Sequence, residues 1–341
     1  MAASVIPRQP CARLCRVSRL TLASLAMFLT VASARAEPPP NRWSQVTSPA
    51  KGSPRSLGEY SSGCLRGASK LALDGTGYQV MHPSRVRYYG HPDLVDFIRK
   101  LGEGLHAEKL ADLMVGDLSQ PRGGPAPGGH SSHQTGLDVD LWYWQPKAAE
   151  RGPLPRAERE STKARSVLDG KAGTVRAEHA ARVSALLRLA ASDKRVTRIF
   201  VHPIIKRMLC TESVGDRAWL EKIRPWFGHD DHFHVRLACP AGDPSCVPQT
   251  PVASGDGCGE LDWWFSPERE TDRAKGRATY QAKVGQAPGM PAECQKLLDA
   301  AETPPPSAAK AAVPAAKSPA RSEPAVTAES ARAVEPRLDR Q

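Results

Sequence analysis

Two short stretches of the sequence concentrate residues that could bind a metal ion. Residues 129–140 and 228–236 together hold half of the ten histidines, and aspartates lie beside them in both stretches. Imidazole nitrogen and carboxylate oxygen are common zinc ligands, and a catalytic zinc typically has about three protein ligands and one open position. The first hypothesis is therefore a zinc hydrolase.

The second stretch has the alternating pattern of a strand. Over residues 232–237 the alternation places His232 and His234 on one face and Phe233 and Val235 on the other. Two imidazoles on one face, with an apolar face behind them, make a rigid metal platform. A pair of idle surface histidines is the alternative interpretation, but the second histidine cluster on a glycine-rich loop favours a metal site.

The first stretch supplies the other ligands. Residues 137–144 also alternate, which places Asp138 and Asp140 on one face of a strand. A turn and the start of this strand separate His133 from Asp140, so a loop imidazole and a strand carboxylate can meet at one ion. With His234 they complete a set of two histidines and one aspartate, which suits a zinc that polarises an amide carbonyl and acidifies its water.

The elements that must position these residues indicate an α+β fold with an antiparallel sheet core and flanking helices. Apolar residues at helical spacing predict helices, and alternating or continuous apolar runs predict strands. The predicted strands and helices do not alternate as repeated βαβ units, which are typical of parallel α/β folds. The predicted helices cover residues 93–105, 177–192, 218–223 and 295–298, the predicted strands cover 111–118, 137–144, 196–201 and 232–237, and 147–176 is a charged surface excursion.

The two ends of the chain differ from the middle. Residues 1–36 combine arginines, an apolar run too short to span a bilayer and a small-x-small site, which is typical of a secretory signal peptide. We expect export to the periplasm and no integral membrane segment after signal removal. Residues 37–60 are expected to form a loosely ordered lead-in, 61–302 the catalytic domain, and the alanine- and proline-rich residues 303–341 a disordered tail.

Cysteines and charge set further limits. Six cysteines follow the signal segment, none in a C-x-x-C pair, so we expect disulfides in an oxidising compartment and no cysteine-zinc site. Cys239 and Cys246 flank a turn and are predicted to pair; spacing leaves the other partners open. The net charge is +11. Export makes nucleic acid the poorest partner, and the dispersed basic residues indicate a solvated surface.

At the two histidine stretches the sequence resembles a known family. Residues 120–124, 130–140 and 229–236 look like the penicillin-insensitive murein endopeptidases, which belong to the LAS-type zinc peptidases with H-x6-D and H-x-H motifs. His133 with Asp140 fits the first motif, and His232 with His234 fits the second. The similarity covers roughly residues 64–294 and implies an LAS-type metallopeptidase fold, disulfide-stapled.

The resemblance also implies residue roles. His133, Asp140 and His234 would bind the catalytic Zn²⁺, and His232 would act beside the water as base or stabiliser of the intermediate. His229 would be a further active-site histidine, and His130 a ligand of a second, weaker zinc. The implied disulfides are Cys64–Cys294, Cys210–Cys258 and Cys239–Cys246. The implied substrate is the D-alanyl-meso-diaminopimelyl amide crosslink of peptidoglycan.

Several alternatives remain. A D,D-carboxypeptidase or other murein amidase of the same superfamily is the enzymatic one, and a non-catalytic metal-binding or wall-binding module is the other. The sequence lacks the G-x-S-x-G elbow of a serine hydrolase, and a cysteine hydrolase is disfavoured because the thiols are expected to be oxidised.

For His202 a packing or capping role is expected. The tryptophans at 142, 144, 226, 263 and 264 could line a groove, but core packing is the default.

Overall fold

The strand that carries the H-x-H pair lies within a seven-stranded sheet, with helices packed against one of its faces. The structure is a computed structural model that describes residues 40–128, 131–269, 271–272 and 289–302. The strands are β1 (Arg55–Glu59), β2 (Ser62–Arg66), β3 (Ser69–Lys70), β4 (Asp74–Gly75), β5 (Tyr78–Val80), β6 (Tyr89–Gly90), β7 (Leu113–Val115), β8 (Asp138–Trp142), β9 (Leu168–Asp169), β10 (Thr174–Val175), β11 (Val196–Val201), β12 (Ile223–Pro225) and β13 (His232–Leu237). The helices are α1 (Pro92–Ala107), α2 (Arg156–Ser161), α3 (Ala177–Ser192), α4 (Pro203–Glu212), α5 (Leu261–Trp264) and α6 (Ala292–Glu302).

The large sheet has the order β12-β11-β13-β8-β7-β5-β4. Its central pairings, β11 with β13, β13 with β8 and β8 with β7, are antiparallel. Two pairings further out, β11 with β12 and β5 with β7, are parallel. The predicted α+β class with an antiparallel core is therefore confirmed, with parallel strands added on both sides of the centre.

The two faces of this sheet differ, as the alternation in β8 and β13 predicts. Phe233 and Val235 of β13 join Val139 and Leu141 of β8 in one buried apolar cluster with residues of α1 and α3. The opposite face carries the aspartates and histidines. Because neighbouring residues of a strand point to opposite faces, burial of the apolar set fixes the polar set on the other side.

Helix α1 shows how local sequence sets an element. Its start is marked by Pro92 at the first helical position and by His91, whose side chain accepts a hydrogen bond from the Asp93 backbone N–H. Its apolar residues recur at helical spacing and are buried: Leu94, Phe97, Ile98, Leu101 and Leu105. The predicted helix 93–105 lies within the observed one, and the predicted helix 177–192 has the same bounds as α3.

The lead-in differs from the expected loosely ordered segment over residues 40–60. Here β1 pairs with β2, and Trp43 and Leu57 are buried in a second apolar cluster that contains Cys64 and Cys294. The sequence signal was misleading because proline and serine dominate the segment, while the apolar surface that covers it comes from α6, more than two hundred residues later.

The charged excursion also carries more structure than expected. Residues 147–176 contain α2, the β9–β10 hairpin and a 3₁₀ turn at Lys147–Arg151. Ala149 and Leu154 pack with Trp142 of β8 in a third buried cluster, so part of this segment covers the sheet at β8.

Three disulfides join cysteines of the described residues, with the pairings that the family resemblance implies. They are Cys64–Cys294, Cys210–Cys258 and Cys239–Cys246. The first joins β2 to α6, and the third closes the turn predicted from spacing. Among the described residues no helix is both long and apolar enough to cross a membrane. The expected signal segment 1–36 and tail 303–341 lie outside the described residues.

Candidate active site

The residues predicted to bind the metal meet in one buried group. One ligand atom from each of His133, Asp140 and His234 lies within 4.8 Å of the others. Asp140 Oδ1 is 3.4 Å from His133 Nε2 and 3.1 Å from His234 Nδ1. The register of β8 against β13 pairs His234 with Asp140, and the loop before β8 brings in His133. Two imidazoles and a carboxylate are a ligand set for a divalent metal ion such as zinc.

The loop holds His133 in an unusual backbone conformation. His133 has a φ of 66°, in the left-handed region that costs a non-glycine residue about 1–2 kcal/mol. Its backbone N–H donates a 3.0 Å hydrogen bond to Asp138 Oδ2, which helps to hold this conformation. Behind the loop, Gly123 is also left-handed, and a Cβ there would collide with the Gln134 carbonyl oxygen.

Asp138 organises the group from beneath without belonging to it. Its buried carboxylate accepts from Arg236 Nε at 2.7 Å and Arg236 Nη2 at 3.1 Å, and its Oδ1 lies 3.1 Å from His234 Nε2. Burial alone would raise the pKa of Asp138, but Arg236 and His234 lower it well below its usual range. An ionised Asp138 on Nε2 leaves His234 Nδ1 facing Asp140. Such a carboxylate partner orients an imidazole ligand and fixes its tautomer.

The charges within the group keep the Asp140 carboxylate ionised, as cation binding requires. Burial alone would raise the pKa of Asp140, but His133 and His232 hold it well below its usual range. Burial alone would lower the pKa of His133, but the Asp140 carboxylate outweighs burial and raises it. Asp140 is therefore an anion at neutral pH and attracts positive charge into the site.

His232 stands beside the group, held by a neighbouring carboxylate. Its Nδ1 lies 2.5 Å from Asp231 Oδ1, and its Nε2 lies 3.7 Å from Asp140 Oδ1. Burial alone would lower the pKa of His232, but Asp140 and Asp231 raise it to about 9. The contact of Asp231 with Nδ1 therefore directs Nε2 of His232 toward Asp140 and the buried group.

His229 is the second histidine beside the group. Its ring centroid is 5.0 Å from that of His232 and 6.0 Å from that of His234. Its Nδ1 lies 2.8 Å from the Phe227 carbonyl oxygen. Because a carbonyl only accepts, we assign the proton to Nδ1, which makes Nε2 the acceptor nitrogen. Burial, with His232 and His234 nearby, lowers the pKa of His229 to about 3.

The other candidates fall outside the group. His202 caps α4, where its Nδ1 accepts a hydrogen bond from the Ile204 backbone N–H, so the expected capping role is confirmed. His130 lies outside the described residues. Trp142 and Trp264 are buried as expected by default, whereas Trp226 and Trp263 are exposed.

Sequence reasoning missed two contributors, Asp231 and the Asp138–Arg236 pair. Asp138 was placed on the ligand face without a role, and the other two residues were passed over. The available signal for the Asp138–Arg236 pair was the opposition of two alternating strands. Antiparallel pairing of D-x-D with H-x-H-x-R sets Asp140 opposite His234 and Asp138 opposite Arg236.

The fold and the family match together define the class as a peptidase, and its buried group of two imidazoles and a carboxylate is a set of residues that could hold a metal ion. The chain belongs to the penicillin-insensitive murein endopeptidase family, whose family model matches residues 56–299.

Proteins with that same name are similar over most of the chain. The one from Yersinia enterocolitica is 41% identical over 281 residues, which cover 82% of this chain and 96% of that protein. The one from Klebsiella pneumoniae strain 342 is 42% identical over 279 residues, 82% of this chain and 97% of that protein. The one from Salmonella arizonae is 41% identical over 285 residues, 83% of this chain and 98% of that protein.

Proposed function

We propose that the chain is a zinc-dependent murein endopeptidase that hydrolyses the D-alanyl-meso-diaminopimelyl amide crosslink between peptidoglycan strands. The observation that carries the proposal is the buried group of His133, Asp140 and His234, with ligand atoms within 4.8 Å of one another. The relatives are named penicillin-insensitive murein endopeptidases, and that name indicates murein as the substrate class.

The ligand set suits zinc. In this proposal His133, Asp140 and His234 hold the ion, with Asp138 orienting both histidines from beneath. A bound zinc supplies a Lewis acid that polarises an amide carbonyl and lowers the pKa of a coordinated water to about 7. His130 remains the candidate ligand for a second, weaker zinc.

The remaining histidines handle protons and developing charge. His232 Nε2, directed by the Asp231 contact at Nδ1, donates a hydrogen bond to the amide oxygen as negative charge develops there. His229, which stays neutral because burial lowers its pKa, carries an acceptor Nε2 beside His232 and is placed to accept a hydrogen bond from a water or from the leaving amine.

The setting of this activity is extracytoplasmic. Murein lies outside the cytoplasmic membrane, and the three disulfides suit an oxidising compartment. We therefore propose that residues 1–36 direct export to the periplasm, that the catalytic domain ends near residue 302, and that residues 303–341 lie outside that domain.

The test is cleavage of crosslinked muropeptide dimers by the purified mature protein, followed by mass spectrometry. The reaction is run as purified, with chelator, and with zinc restored after chelation. Conversion of dimer to monomer that chelator abolishes and zinc restores is the expected result. Loss of terminal D-alanine without monomer formation would instead identify a carboxypeptidase. Intact dimers with stoichiometric zinc bound would identify a binding module.

Two substitutions separate the roles of the H-x-H histidines. His234→Ala is expected to lose zinc and turnover together, because it removes a ligand. His232→Ala is expected to keep stoichiometric zinc and lose turnover by about 10²–10³-fold, the usual cost of one oxyanion donor. Zinc content by elemental analysis and monomer release check both variants. Full turnover in His232→Ala would contradict its assigned role.

A further inference from the structure

We call the buried set of His133, Asp140 and His234 the metal group. A continuous series of aromatic rings leads from it to the protein surface. Phe200 contacts the His234 ring with centroids 5.4 Å apart, and Trp226 contacts Phe200 at 5.8 Å. Trp264 follows at 6.4 Å from Trp226, and Trp263 at 5.0 Å from Trp264. We call the outer part of this series the aromatic ridge, defined as Trp226, Phe227, Trp263 and Trp264.

The ridge exposes rings that a folded protein normally buries. Trp226 is 51% exposed and Trp263 is 42% exposed, and the neighbouring Phe265 is 43% exposed. Clustered exposure of large apolar side chains marks a binding surface, and tryptophan is the residue most often found at the energetic centre of one. Single exposed residues need no such explanation.

The ridge is also rigid, as a binding platform requires. The Trp226 backbone N–H donates a 2.8 Å hydrogen bond to the Val201 carbonyl, which fixes it to the end of β11. Trp264 is buried and packs on Phe227 at 5.1 Å. The disulfide Cys210–Cys258 ties α4 to the segment that enters α5. The exposed rings are therefore held in place before any ligand binds, which lowers the entropic cost of binding.

We propose that the aromatic ridge binds the glycan strand of peptidoglycan, the sugar polymer from which the crosslinked peptide branches. This proposal rests on the proposed function. A pyranose ring presents a face of polarised C–H groups, which complements the negative face of an exposed indole. Arg269 lies over the rings of Phe227 and Trp264, at 5.0 and 5.7 Å, and places a positive charge beside the ridge.

The position of the ridge matches the architecture of the substrate. The stem peptide that connects the sugar to the scissile amide is only a few residues long, and each residue spans at most about 3.6 Å. A crosslink seated at the metal group therefore keeps its own glycan strand within a short distance. The ridge begins at Trp226, whose ring contacts the Phe200 ring, which in turn contacts the His234 ring.

The first experiment compares two substrates in the parent, Trp263→Ala and Trp263→Phe. The substrates are crosslinked muropeptide dimers that carry disaccharides and the same crosslinked peptides after enzymatic removal of the sugars. In Trp263→Ala we expect kcat/KM for the sugar-bearing dimer to fall about tenfold more than for the sugar-free dimer, because a well-packed tryptophan typically dominates its contact. Trp263→Phe keeps a stacking face and is expected to recover most of the loss. Val214→Ala is the matched control, since Val214 is 84% exposed and lies outside the ridge.

The second experiment measures binding alone, so that failure of the proposed function is distinguishable. Glycan strands stripped of their peptides are co-sedimented with the full protein. We expect the parent and Val214→Ala to bind and Trp263→Ala to bind about tenfold more weakly. In the first experiment, equal losses of kcat/KM on the sugar-bearing and sugar-free dimers would assign the ridge to peptide binding and overturn the proposal. Absence of glycan binding in the parent would overturn it as well, whatever the parent does to the dimers.

Discussion

Asp138→Asn tests the role assigned to the carboxylate beneath the metal group. The Asp138 side chain is completely buried and faces four donors: two from Arg236, the His133 backbone N–H and the His234 Nε2 edge. An asparagine keeps the shape but replaces one oxygen by an NH₂ group. Whichever way the amide is turned, two of the four contacts then oppose donor to donor.

The structure sets the expected size of the effect. Hydrogen bonds to charged groups contribute about 1.5–3 kcal/mol each, so two lost contacts lower the unfolding free energy by about 3–6 kcal/mol. Loss of a carboxylate behind a histidine ligand typically weakens metal binding about 10–100-fold. This corresponds to about 1.4–2.8 kcal/mol in binding free energy.

The assay is zinc competition with a chromogenic chelator at neutral pH, with urea unfolding of the chelated protein in parallel. Asp193→Asn is the matched control. Asp193 accepts hydrogen bonds from the backbone and guanidinium of Arg195, away from the site, so its replacement is expected to lower stability while zinc affinity stays the same. A zinc affinity in Asp138→Asn within about twofold of the parent, below the range for such partners, would refute the orienting role.

Two further predictions concern stability. Burial lowers the pKa of Lys206 from 10.5 to about 8. Between those pH values Lys206 binds its proton in the unfolded chain and not in the folded one, so the contribution of Lys206 to the unfolding free energy rises with pH over this window, by up to about 3 kcal/mol. Lys206→Met is expected to abolish this contribution, as measured by urea unfolding between about pH 7.5 and pH 10. Equal slopes of unfolding free energy against pH in the variant and the parent would contradict the prediction. Replacing both cysteines of the Cys64–Cys294 disulfide by serine is expected to cost about 5 kcal/mol, against about 2 kcal/mol for Cys239–Cys246, because their sequence separations are 230 and 7. Equal losses in calorimetry would argue against the loop-entropy account.

Much of the scaffold around the site was predictable from the sequence. Strands β11 and β13 and helix α3 have the predicted bounds because the apolar residues that mark each of them are buried in the same core cluster. Helix α4 was missed, since Pro203 and the preceding His202 read as the end of a strand. Strand β12 was missed because its three residues form a pattern too short to detect.

The sequence names the three residues that meet in the buried group, but it does not predict how they are arranged. Alternation places Asp138 and Asp140 on one face, yet both positions are compatible with a ligand. The choice depends on register: sliding β8 by two residues against β13 would keep every side chain on its face and set Asp138 opposite His234. Register is fixed by contacts distant in sequence, such as the Arg236–Asp138 pair, and periodicity carries no information about them.

The Cys64–Cys294 disulfide has a consequence for how the protein is assembled. The covalent ring that it closes contains every residue from 64 to 294, including the metal group of His133, Asp140 and His234. This ring cannot close until residue 294 has been synthesised and has met an oxidant. Maturation of the active-site scaffold is thereby linked to completion of the domain and to the redox state of its surroundings.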